Sequence, residues 1–448
     1  MKAIHQLNAS KPSESKSARL YQRALNVMPG GCSRNTILRK PHPAYVDHGA
    51  GCYLVDIEGN KRIDFANNMA SLIHGHAQPE VVAAVSAQLQ KGSAFTMATE
   101  VEIEYAEHMC KRSEGFEKIR FVNSGTEAVM SCLKAARAYT GRAKIAKVEG
   151  AYHGLYDYAE VSQTAVPGNW GDQRSPASVP VAQGTPTSAL DDVVVIPFND
   201  PENAIAILNK HADQLACVLL DPLPHRVGLV PASDAFVDAL YKWTRDNGAL
   251  LVFDEVITFR TCYGGAQEKY GVRPDLTAMG KMIGGGFPVG ALAGRADVMD
   301  VMNPLVDKVL FPHSGTFSAN PVTMTAGLLA MQKFDPQAVE RLNNLGEYAR
   351  ASIREAIKVA EVPACVTGDG SMFRLHMKAD APDNYRAAYT TPVEAQRIKQ
   401  LLDYLFNNGI MMINTCTGML STPMGKSEID TLSETMLGGL RQIQDQAN

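Results

Sequence analysis

At 448 residues the chain has room for two or three domains. Its composition, 45% hydrophobic and 20% charged, is that of an ordinary globular protein. A net charge of −4 implies no basic face, which argues against nucleic acid and anionic membranes as partners.

No apolar run approaches the roughly 20 residues that a membrane span needs. The opening stretch MKAIHQLNASKPSESKSARL is polar and lacks the apolar core of a secretory signal. Eight cysteines are scattered without CxxC or regular spacing, the pattern of reduced, mostly structural thiols. These features predict a soluble cytoplasmic protein.

In chain order, a polar lead gives way to a helix, SARLYQRALNVM, stopped by Pro29, Gly30 and Gly31. A loop carrying Arg34, Arg39 and Lys40 follows. AYVDHGAGCYLVDIEGNKRIDF alternates apolar positions with turn residues and reads as a small meander of strands, turning tightly at Glu58-Gly59-Asn60. PEVVAAVSAQLQKG is a helix with Pro79 near its first turn. EVEIEYAEHMCKR is another, acidic at its start and basic at its end as the helix dipole prefers.

Short β-branched runs then alternate with helices. IRFVN leads to TEAVMSCLKAARAYTG, KIAKVEG follows, CVLLDPL leads to SDAFVDALYKWTRDNG, and LLVFDEV comes next. This cadence predicts an α/β fold of βαβ units, with a mostly parallel sheet sandwiched by helices. Residues 155–192, with few apolar runs and several Pro, Gly and Ser, read as an irregular surface excursion.

Past Ala330 come a long helix in DPQAVERLNNLGEYARASIREAIKVA and a strand pair in VTGDGSMFRLHMK. An amphipathic helix in PVEAQRIKQLLDYLFNNG, a strand at IMMINT and a closing helix follow, the last expected to be capped by Ser427 and Glu428. The expected division is a large domain over residues 71–330 and a smaller α+β domain. The smaller one combines an N-terminal segment, residues 1–70, with residues 331–448.

Three stretches carry chemistry. Asn123-Ser124-Gly125-Thr126 joins a strand to a helix, where backbone N–H groups and the helix dipole suit a phosphate. Read alone, it is more often an ordinary N-cap. Asp254 ends the strand ALLVFDEV, the edge at which open α/β sheets bind ligands, and a carboxylate there can hold a charged ring nitrogen. Glu255 points the other way in an extended strand. Lys281, in DLTAMGKMIGGG, sits before three glycines, and a buried lysine becomes a nucleophile suited to Schiff-base chemistry. Together the three are fixtures for pyridoxal phosphate (PLP). No strand–GxGxxG–helix unit and no GxxxxGK[ST] is present, which disfavours nicotinamide cofactors and P-loop chemistry. HGH at 74–76 has no further ligands at metal spacing and reads as a satisfied histidine pair, so no metal is expected.

The chain resembles class III aminotransferases of fold type I, in particular the branch of glutamate-1-semialdehyde aminomutase and the β-amino acid aminotransferases. The matching stretches are RFVNSGTEAVMSCLKAARAYTGRAKI, EGAYHG, ALLVFDEVIT, YGGAQEKYGVRPDLTAMGKMIGGGFPVGA and HSGTFSANPVTMTAGLLAM. The resemblance implies that Lys281 bonds the cofactor aldehyde, Asp254 binds its ring nitrogen, and Ser124, Gly125 and Thr126 hold its phosphate. It also implies that Tyr152 stacks on the ring and that Thr316 reaches the phosphate from the other subunit of a homodimer with shared active sites.

The resemblance is uneven around the substrate. Ile37 stands where the aminomutase has its carboxylate-binding arginine, whereas Arg34 is placed as in aminotransferases for β-amino acids such as β-phenylalanine. Arg34 is therefore the first choice for the substrate acid. Arg226, in DPLPHRVG, is a second carboxylate anchor or a solvent-facing residue, and Asp221 there replaces the usual Glu. Thr417 stands where relatives have a gating Glu or a carboxylate-seeking Arg. The expected activity is transfer of an amino group from an amino acid, β-amino acids included, to a keto acid. The alternatives are an aminomutase or a racemase using the same lysine.

Overall fold

A computed structural model describes residues 15–445, so the polar lead at 1–14 lies outside the described residues. Seven strands form the central sheet: β1 (Lys118–Val122), β2 (Lys144–Val148), β3 (Val193–Ile196), β4 (Leu215–Leu220), β5 (Leu250–Asp254), β6 (Leu276–Gly280) and β7 (Gly290–Gly294). Their order is β1-β7-β6-β5-β4-β2-β3. β7 runs antiparallel to both of its neighbours and the remaining pairs are parallel. This is the α/β, mostly parallel sheet that the cadence of elements predicts.

Side-chain alternation explains why helices cover both faces. Ile145, Val193, Leu219, Leu250 and Val252 pack with Ala128, Cys132 and Leu133 of the helix Gly125–Thr140. The intervening Ala146, Val194, Val218, Leu251 and Phe253 pack with Phe236, Leu240 and Trp243 of the helix Asp234–Asn247. Both side-chain sets are thus removed from water, which is why these strands read as unbroken apolar runs.

β3, β6 and β7 escaped the sequence reading, β6 being taken only as a small apolar run before Lys281. β3 follows the irregular excursion directly. β7 is GALAG, made of residues with poor strand propensity. Its composition has a steric cause: a Cβ on Gly290 would lie 2.0 Å from the carbonyl oxygen of Ser124.

The N-terminal meander, Val46–Ala50, Tyr53–Asp56 and Lys61–Asp64, gains a fourth, parallel strand from Ile410–Met411, with Ile63 opposite Ile410. A second antiparallel sheet joins Cys365–Thr367, Met372–His376 and Thr417–Met419. The 25-residue helix Pro336–Ala360 packs along the closing helix Lys426–Asp445. Capping of that last helix differs from expectation. It begins before Ser427, and it is the Glu428 carboxylate that accepts the Gly425 N–H, at 2.8 Å.

After the meander, Asn67, Asn68, Met69 and Ala70 all take positive φ (45°, 45°, 59° and 70°), a single left-handed helical turn. Such a turn costs roughly 1–2 kcal/mol per residue outside glycine, so its surroundings must impose it. Asp64 accepts the N–H groups of Ala66 and Asn67 at 2.9 and 3.0 Å, and Asn67 Nδ2 donates to the Met419 carbonyl at 2.6 Å.

Candidate active site

The site lies at the carboxyl edge of the sheet, where β1, β5 and β6 end side by side with β7 between β1 and β6. Past β1, Ser124 caps the helix Gly125–Thr140 by accepting the Glu127 N–H at 3.1 Å. The ordinary cap is therefore real, but it leaves the first amides, those of Gly125 and Thr126, without an acceptor among the described residues. Space around them is tight. A Cβ on Gly125 would meet Val256 at 2.9 Å, and one on Gly280 would meet the Gly125 Cα at 3.3 Å. The end of β6 thus packs directly on the helix N-terminus.

Lys281 follows Gly280 at φ 50°, a left-handed conformation that an unbranched side chain tolerates at some cost. Among the described residues Lys281 makes no hydrogen bond and no ion pair. Burial pushes its ammonium pKa down, opposed by the fields of Asp254 and Asp221. Asp221 is buried, and burial together with Asp254 pushes its carboxyl well above the usual range.

Asp254 ends β5 almost fully buried. Its Oδ2 pairs with Nδ1 of His153 at 2.7 Å, and its Oδ1 accepts the Val256 N–H at 3.1 Å. His153 is itself buried, which holds its pKa below the ordinary value despite Asp254. The neutral ring donates Nδ1–H to Asp254 and leaves Nε2 a buried atom with no partner. Glu255 points away, as strand alternation requires, and accepts the N–H groups of Ala266 and Gln267 at 2.5 and 3.2 Å.

Lys147, which sequence reasoning did not single out, supports the turn bearing Tyr152 and His153. Its fully buried Nζ donates to the carbonyls of Ala151 and Val161 at 3.0 and 2.6 Å. Burial first, then the Arg226 charge, bring its pKa down to about 7. The available signal was a charged residue inside the apolar run KIAKV.

Tyr152 is 40% exposed, with the Arg226 guanidinium 5.3 Å from its ring centroid. Arg226 is exposed and donates to the Gln163 carbonyl at 3.4 Å. Arg34 is also exposed, and its Nη1 donates to Asn68 Oδ1 at 2.7 Å, so the left-handed turn holds it. Thr417 is buried, joined through Thr415 to His225 by contacts of 2.9 and 3.1 Å. Thr316 lies on an exposed loop whose Gly315 approaches Asn123. Lys281, Asp254 and Ser124–Thr126 thus gather at one edge, with Arg34, Arg226 and Thr316 on exposed segments. His74 bonds Thr422 and the Ala330 carbonyl, and His76 bonds Asp64. No cluster of metal-ligating side chains occurs among the described residues, and no described helix is long and apolar enough to cross a membrane.

A family model for class-III aminotransferases matches residues 37–424, most of the chain. The chain belongs to the class-III aminotransferase family. Glutamate-1-semialdehyde 2,1-aminomutase from Methanothermobacter thermautotrophicus is 39% identical over 371 residues, spanning 83% of this chain and 86% of that protein. An omega-transaminase from Sphaerobacter thermophilus superposes with a TM-score of 0.94 at 46% identity, covering 98% of this chain and 100% of that one. A transaminase solved with PLP bound has a TM-score of 0.89 at 44% identity, covering 96% and 98%. The class-III membership expected from the quoted motifs is therefore found, and the protein is an enzyme of that kind.

Proposed function

We propose that this class-III enzyme is a PLP-dependent aminotransferase that moves an amino group from an amino acid to a keto acid, with Lys281 as its catalytic amine. One observation carries the reading: a buried carboxylate, a burial-depressed lysine and a glycine-walled helix N-terminus converge at one sheet edge. That donor set fits PLP, the cofactor we assign. When bound, it supplies an aldehyde that condenses with amines and a ring that takes up negative charge from the substrate Cα.

The chain's residues divide the remaining work. The Gly125 and Thr126 amides, with the Ser124 and Thr126 hydroxyls, hold the phosphate. Asp254, oriented by His153, keeps a proton on the ring nitrogen, and Tyr152 covers the ring face. Lys281, its pKa lowered by burial, removes the Cα proton and returns it at a neighbouring carbon. Arg34 anchors the substrate carboxylate, with β-amino acids the class to test first, and Arg226 is the second anchor. In a homodimer with shared sites, Thr316 of one copy serves the phosphate of the other.

Incubation with one amino donor and no acceptor tests the assignment. The aminotransferase stops after one equivalent of keto product, leaving the cofactor aminated. An aminomutase, the reading favoured by the 39% identical relative, yields an isomer of its substrate and no net keto acid. A racemase inverts the substrate with the same lack of keto product. Continued isomerisation or inversion without keto acid would overturn the aminotransferase reading.

A further inference from the structure

Arg374 sits on the strand Met372–His376, opposite Thr417 in the antiparallel pair. It is 5% exposed and has no carboxylate partner among the described residues. Nη1 donates to the His225 carbonyl at 2.8 Å, Nε is buried without an acceptor, and Nη2 has no hydrogen bond to a described residue. A guanidinium so placed pays desolvation with little in return, and burial brings its pKa down to about 10.

Arg374 forms part of the wall of a cavity of about 720 Å³ between residues 36–41 and the helix Pro392–Asn407. This volume is in the range of small-molecule pockets, roughly 300–1,000 Å³. Asp403 is the acid lining it, and Arg39 and Lys399 already engage that carboxylate at 2.7 and 2.8 Å. Arg374 and Lys40 therefore remain as uncompensated cations on the wall. The rest of the lining is largely apolar, including Leu38, Ile398 and Met412. None of Lys281, Asp254, Ser124 or Tyr152 lines the cavity. Thr415, which does, bonds His225.

We propose that this cavity binds an organic carboxylate, its acid group on Arg374 and its apolar body against Leu38, Ile398 and Met412. A carboxylate would supply the acceptors that Arg374 lacks, and the burial of Arg374 itself would strengthen the bond. The ligand is either the far end of a substrate or a separate effector acid. The inference stands on the cavity and does not depend on the aminotransferase reading.

Calorimetric titration of hexanoate into the PLP-loaded enzyme tests it, with hexylammonium as the charge-reversed control. Hexanoate should bind saturably and hexylammonium should not. Arg374→Met should weaken hexanoate about tenfold or more, the loss of a charge-assisted hydrogen bond. Leu38→Trp, made at an exposed rim position, should weaken it similarly by filling the mouth, and it decides the matter if Arg374→Met does not fold. Arg34→Ala should leave the affinity unchanged. Inhibition competitive with the amino donor assigns the cavity to the substrate's tail, and a non-competitive effect assigns it to a separate acid. Absence of saturable binding, equal affinity in both cavity variants, or loss of binding in Arg34→Ala would overturn the proposal.

Discussion

The sheet edge and the substrate rim solve different physical problems. At the edge, position is set by backbone: β1, β5, β6 and β7 are locked by ladder hydrogen bonds, Gly125 and Gly280 allow close packing, and Gly290 admits a contact that any side chain would prevent. At the rim, Arg34 depends on one hydrogen bond to Asn68, and Arg226 rests on a ring and a single carbonyl. Exposed guanidiniums held so lightly can be exchanged without disturbing the sheet. Under the proposed function, chemistry is thus built into the sheet and substrate preference is hung from loops.

The largest effect is expected at the edge. Lys281→Ala should lower turnover by about 10⁴-fold, the upper range for a positioned proton carrier, while circular dichroism and melting temperature stay near wild type. Borohydride treatment should attach the cofactor's mass to the Lys281 peptide of wild type and not of the variant. Normal turnover in Lys281→Ala would remove the catalytic assignment altogether.

Lys147 supplies a stability test. Its folded pKa, about 7, lies below the unfolded value of 10.5, so between those values the unfolded chain holds a proton that the folded one has shed. Stability from this group therefore rises as pH increases from about 7 to 10.5, by something on the order of a few kcal/mol. Urea denaturation at several pH values should show that rise in wild type and a flatter profile in Lys147→Met. Gly290→Ala comes next, since its Cβ would strike the Ser124 carbonyl. A loss of about 1–3 kcal/mol from overpacking should accompany weaker PLP binding, measured by fluorescence titration.

At the rim the effects should be smaller. Arg34→Ala should raise KM about tenfold for amino acids, as loss of a carboxylate hydrogen bond, and leave simple amines nearly unchanged. Asn68→Gly keeps a residue tolerant of positive φ but removes the acceptor for Arg34. A few-fold rise in KM at constant kcat is expected. Equal losses for amines and amino acids in either variant would show that the rim does not read the carboxylate.

Much of the edge was legible in the sequence from local signals. Asp254 ends LLVFD, a run that reads as a strand, whereas Lys281 stood out by the three glycines after it and the strand LTAMG before it was not anticipated. What was illegible depends on contacts distant in sequence. β7 hid behind small residues, of which Gly290 is dictated by the Ser124 carbonyl and Gly294 by that of Asp275. His153 gained its place from Asp254, about a hundred residues on, and Lys147 from the carbonyls of Ala151 and Val161. The left-handed turn could not be anticipated either, because Met69 and Ala70 have no preference for positive φ and the contacts that anchor the turn, from Asn67 to Asp64 and Met419, come from elsewhere in the chain. The rim's ambiguity has the same origin. An exposed arginine's role is fixed by what it faces, and Arg374, inside an ordinary strand, gave no sign of its missing counter-ion.

The parallel pairing of Ile63 with Ile410 bears on the order in which the protein is made. During synthesis the meander leaves the ribosome long before its fourth strand exists, while all seven strands of the central sheet, ending at Gly294, are available to close first. Until residue 411 emerges, Lys61–Asp64 presents an uncovered strand edge, the kind of surface through which nascent chains capture one another. The same delay leaves the Asn67–Met419 tie unmade, so the turn that orients Arg34 is set among the last. A nascent chain of this enzyme therefore assembles the proposed chemical edge early and the proposed substrate rim late.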